Sequence, residues 1–146
     1  MAAYENVREV SVIVGVDSSG VAAVTKYRLA KWSDASGFVD QEVIAADGVA
    51  DIPAGVISQK VATTLSPGTA YKAPAVAMAV GDNGIALVEL GEAVTDLDVP
   101  LRPGTGGAAF LANATGDRKI GMPLEVGSIG QIIRFQFSGG AGQLVP

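Results

Sequence analysis

The chain has no cysteine and no histidine in its 146 residues. Their absence excludes Ser-His-Asp and Cys-His catalysis, thiol redox chemistry and zinc sites built from nitrogen and sulfur ligands. Aromatic residues are few, with one Trp, three Tyr and four Phe, so the core has to be aliphatic. Basic residues are also scarce: ten Lys and Arg face fifteen Asp and Glu, a formal charge of −5 with no His to add to it. That balance, with a pI of about 4.5, argues against direct nucleic-acid binding, which draws on a basic patch. No apolar run approaches the ~18 residues of a membrane helix. The first residues, Met1 to Glu5, lack the basic and apolar regions of a signal peptide, and no lipidation motif is evident; with no cysteine present, this fits a cytosolic product.

Glycine is abundant instead, with 19 residues set between short runs of Val, Ile, Ala and Leu. Glycine-rich turns joining short aliphatic runs point to many short strands. Val7 to Val16 alternates, with Val10, Val12, Val14 and Val16 on one face, the period of a half-buried strand. Val21 to Trp32 favours a strand through its branched and aromatic side chains. Phe38–Ala45 and Val56–Val61 read as further strands, and Ser66-Pro67-Gly68 as a turn. Tyr71–Met78 is ambiguous because Pro74 suits an edge or a loop. Asn83-Gly84 is the dipeptide most favoured in a two-residue hairpin, and Ile85–Leu90, apolar on nearly both faces, reads as a central strand. Glu92–Val99 continues extended, Pro100–Gly107 is a loop, and Ala108–Ala112 is a short strand. Gln131–Phe137 carries the clearest alternation, with Ile133, Phe135 and Phe137 on one side. The expectation is an all-β, single-domain barrel or sandwich of about eight to ten short strands. Residues 1–6 form an extended N-terminal arm, 7–137 the domain and 138–146 a flexible tail.

Several segments invite a chemical reading. Asp96 and Asp98, two apart on a strand, would share a face and could bind a hard cation or divide acid and base roles, but a solvated polar face with Leu97 inward explains them more simply. Asp47-Gly48-Val49-Ala50-Asp51 lacks the third-position ligand and distal glutamate of a calcium loop, and reads as a turn. Gly104-Thr105-Gly106-Gly107 has neither the Lys-Ser/Thr nor the helix that a phosphate loop needs. Asn113-Ala114-Thr115 matches the glycosylation triplet, a match best read as chance without a signal peptide. Arg118-Lys119 could pair with an acidic partner, but a solvated turn is the simpler reading. No catalytic residue, cofactor or metal is expected. The expected partner-binding residues are the arm, Met1, Ala2, Ala3, Tyr4, Glu5 and Asn6, ordered by what it meets, and Trp32, which suits core packing or a subunit interface.

The second half of the chain has a recognisable succession: Ile85-Ala86-Leu87-Val88-Glu89-Leu90-Gly91, a glycine-rich connection, Ala109–Ala112, Ile120-Gly121-Met122-Pro123-Leu124-Glu125, a turn from Gly127 to Gly130, and Ile132–Phe137. With the upstream Ala54-Gly55-Val56-Ile57, it resembles the small all-β head decoration (cement) proteins of tailed bacteriophages over Ala54–Phe137. That resemblance implies a structural, non-enzymatic virion protein on the capsid exterior. It would bind across subunits of the major capsid protein and stabilise the expanded shell, as a homo-oligomer, typically a trimer, without contacting nucleic acid or membrane. The alternatives are another virion module, such as a head fibre or tail component, and a carboxylate-based calcium or carbohydrate binder. Small side chains, high mean hydropathy (+0.37) and acidity suit an assembling protein.

Overall fold

A computed structural model describes residues 7–15, 23–33, 42–58, 76–80, 83–138 and 142–146. Twelve strands are found among them: Arg8–Val14 (β1), Leu29–Trp32 (β2), Glu42–Ala45 (β3), Gly55–Ile57 (β4), Val76–Val80 (β5), Ile85–Glu89 (β6), Leu101–Pro103 (β7), Ala109–Leu111 (β8), Arg118–Lys119 (β9), Gly121–Pro123 (β10), Ile132–Phe137 (β11) and Gln143–Leu144 (β12). Only the 3-10 turn Thr105–Gly107 is helical among the described residues. The protein is therefore all-β, as the glycine-punctuated aliphatic runs imply.

The strands form two main layers. The first is a closed five-stranded barrel in the order β1-β3-β2-β4-β5, and the second is a five-stranded sheet in the order β6-β11-β10-β7-β8. Barrel neighbours are antiparallel except β1 and β3, which run parallel. The edges of the second sheet meet at one end, where Leu90 bridges Ala109 and the Gly91 N–H donates to the Ala109 carbonyl. A two-stranded ribbon of β12 and β9 packs against β7.

Side-chain alternation assigns each residue to its core. Val12 and Val14 of β1 point into the barrel with Val24, Ala30, Val43 and Ile57. Leu29 and Val56, the neighbours of Ala30 and Ile57, point the other way and join Ala86, Val88, Leu101, Ile133 and Phe135 of the sheet. β2, at Leu29 and Ala30, and β4 are thus buried on both faces and lie between the two cores. Phe135, fully buried, meets Phe137 edge to face with ring centroids 4.7 Å apart. Polar staples reinforce the junction. Arg28 pairs with Glu89 and donates to the Gly106 carbonyl, and the Glu89 N–H donates to the Tyr27 carbonyl.

The sequence expectations fail where partner choice, not local propensity, decides. Asn83-Gly84 does not close a hairpin: β5 pairs in the barrel with β1 and β4, while β6 pairs with β11. Asn83 takes a left-handed φ of 60°, as its type permits, but the chain there crosses between layers. β6 is an edge strand of its sheet and not central, buried on alternate residues. Among the described residues of Val21–Trp32, only Leu29–Trp32 form a strand, because Tyr27 turns the chain at φ 67° and its N–H bonds the Ile57 carbonyl. The loop expected over Pro100–Gly107 contains β7, whose Pro103 stands at its last position. Glu92–Val99 forms no strand, and only Val94 bridges, to Gly127. The C-terminal end, read as a loose tail, pairs β12 with β9, and the Val145 N–H donates to the Asp117 carbonyl. The arm Met1–Asn6, the turn Ser66-Pro67-Gly68, the residues before Val76 in Tyr71–Met78, and Gly139–Ala141 lie outside the described residues.

Candidate functional site

Each segment with a chemical reading resolves into a structural device. The Asp96 carboxylate accepts the N–H of Asp98 at 2.8 Å, so the pair lies in a turn and not on a strand. Leu97 between them is 43% exposed and does not point inward. Asp51 accepts the Gly48 N–H at 2.9 Å and pairs with Lys31 at 2.9 Å, closing the turn expected over Asp47–Asp51. Among the described residues, no three or more Asp or Glu side chains are grouped to hold a metal ion. The glycines at 104–107 serve close packing. Gly107 has φ +83°, and a Cβ there would overlap the Leu29 carbonyl.

Asn113-Ala114-Thr115 belongs to a turn capped by Asp117, whose carboxylate accepts the N–H groups of Asn113 (3.2 Å) and Ala114 (2.9 Å). Arg102 approaches the buried Asp117 at 3.4 Å and lies over the Phe110 ring at 4.9 Å. Arg118 is no solvated turn residue. Its guanidinium donates to the carbonyls of Ala50 (2.9 Å) and Gly142 (3.2 Å), and its N–H to Val49, so one side chain joins the barrel loop, β9 and the C-terminal end. Sequence reasoning missed this because carbonyl acceptors carry no residue signature.

Three surface features stand out among the described residues. Trp32 ends β2 in register with Val43, on the barrel-facing side, but the strand stops there and leaves the indole 49% exposed at the rim. A second apolar group occupies one end of the five-stranded sheet. Val126 is 61% exposed, Ile129 71% and Ile132 44%, and the Val94–Gly127 bridge brings the turn holding Leu97 alongside. These side chains stand on a hydrogen-bonded frame. Gly130 donates to the Leu90 carbonyl, Leu90 to Gln131, and Gln131 to Ser128, while the Gln131 side chain accepts the Ser128 N–H at 2.7 Å. Asp96 and Asp98 flank Leu97 in the chain, and Glu125, next to Val126, pairs with Arg134.

A third feature is a cleft of about 360 Å³ lined by Pro100, Lys119, Met122, Ser138, Gly142 and Gln143. Lys119 makes no ion pair among the described residues. The cleft lies at the opposite end of β11 from Ile129. The six residue steps from Ile132 to Ser138 separate them by about 20 Å at strand rise.

No family model matches the chain, and no curated protein matches it. Among solved structures, the N base of the head fiber protein gp8.5 of bacteriophage phi29 is similar in fold, with a TM-score of 0.61 at 19% identity, covering 90% of this chain and 95% of that one.

Proposed function

We propose that this chain is a structural, non-enzymatic protein of a bacteriophage virion, carried on the outside of the head. The observation that carries the reading is the fold likeness to a head fiber base, which extends over 90% of this chain and 95% of the other. A likeness of that extent matches whole architectures, barrel and sheet together, and not one common motif. The resemblance of Ala54–Phe137 to cement proteins supports the same location from the sequence side. In this reading the partner is the major capsid protein, and surface side chains such as Trp32 make the contact. A half-exposed indole supplies a large apolar area with a polar N–H, which suits a binding anchor.

The test is cryo-electron microscopy and quantitative mass spectrometry of purified virions. Density for this chain on the outer shell is expected, and its absence from virions overturns the proposal. Copy number separates the two forms. A cement protein should be comparable in abundance to the major capsid protein, and a copy number well below that favours another virion module such as a head fibre.

A further inference from the structure

We propose that the apolar knob formed by Leu97, Val126 and Ile129 docks into the Lys119–Met122 cleft of a second copy of this chain, giving a head-to-tail contact. Both halves are on the same molecule. The knob is aliphatic, strongly exposed (Val126 61%, Ile129 71%) and held by a frame of backbone hydrogen bonds, so little conformational freedom is lost when it is covered. Its border is acidic: Asp96 and Asp98 are exposed and make no ion pair among the described residues. The cleft is the complement. Pro100 and Met122 give it apolar walls, and Met122 adapts its shape to an incoming side chain. Lys119 gives it a cation without an ion-pair partner among the described residues. Its volume of about 360 Å³ is large enough for the tips of two aliphatic side chains.

Charge decides against the symmetric alternative. Two knobs meeting face to face would bring Asp96 and Asp98 of one copy against those of the other, and like charges in juxtaposition disfavour that contact. Knob against cleft joins opposite charges and covers both apolar surfaces. Because the two lie at opposite ends of β11, one copy engages two neighbours at once, so the contact is heterologous and repeats into a ring or a filament. This inference is independent of the virion reading: it concerns the chain with itself and needs no capsid.

The experiment uses the purified full chain and three variants: V126D/I129D, the milder V126S/I129S, and K119E. Circular dichroism and thermal melting establish that each is folded. Native mass spectrometry and sedimentation should show concentration-dependent self-association of the wild-type chain. Knob and cleft variants should each weaken it by roughly tenfold or more. Mixing V126D/I129D with K119E then leaves one intact knob-and-cleft pair, and a one-to-one heterodimer is expected. A wild-type chain that stays monomeric at the highest soluble concentration overturns the proposal. So does self-association that survives both folded knob variants or K119E, or a mixture that yields no heterodimer.

Discussion

At the scale of single residues, the chain uses glycine for approach and carboxylates for turn closure. Gly107 combines a positive φ with backbone contact against Leu29, whereas Gly116 has a similar φ of +89° with open space around it. Comparing G107A with G116A therefore separates strain from steric overlap. Denaturant unfolding should give about 1 kcal/mol for G116A, from the left-handed conformation alone. For G107A the loss should reach about 3 kcal/mol, because β2 must also shift. Asp51 shows the electrostatic counterpart. Burial opposes its ionisation, but the Gly48 N–H, the Lys31 ammonium and the Asp47 backbone outweigh that and hold its carboxyl below the ordinary range. A carboxyl lowered in the folded state stabilises above its unfolded pKa, and the contribution is lost as pH falls through the folded value. At neutral pH, D51N should therefore be less stable than wild type by a few tenths to about 1 kcal/mol. The gap should close below about pH 4 in unfolding curves measured across the acid range.

At the scale of elements, β1 and β11 were legible from alternation because each has one face in a core and one face out. Their inward residues Val12, Val14, Ile133 and Phe135 are all buried. The elements that escaped were held by partners distant in sequence. β6 has enough apolar residues to look central, yet it lies at an edge and the Tyr27 carbonyl takes its Glu89 N–H. β7 hid between prolines, and β12 hid in a glycine-rich end that is ordered by β9. Of the candidate surface, the sequence marks Trp32 as its one tryptophan but not the Val126–Ile129 knob. Two exposed aliphatics in a turn have no periodicity to mark them. The C-terminal ribbon depends on Arg118, whose planar fork bonds Ala50 and Gly142 together. R118K keeps the charge and loses that fork. It should cost about 1–2 kcal/mol and accelerate amide exchange at Val145, as read by hydrogen-exchange mass spectrometry.

At the scale of the whole molecule, β2 and β4 decide whether barrel and sheet are two folding units or one. Leu29 and Val56 belong to the core shared with the sheet, while Ala30 and Ile57, one residue on, belong to the barrel. Neither layer can be removed without exposing a buried face of the other, and the Arg28–Glu89 pair joins the same two layers. Unfolding should therefore be a single cooperative transition. The single tryptophan makes this measurable, since Trp32 fluorescence reports the barrel rim while far-ultraviolet circular dichroism reports all the strands. The two probes should trace one coincident curve in denaturant. L29A should shift both together, at a cost of about 2–5 kcal/mol for the cavity it leaves. A fluorescence transition that moves while the dichroism curve splits into two steps would show instead that the barrel melts alone. In the first behaviour any local pull is resisted by the stability of the whole fold.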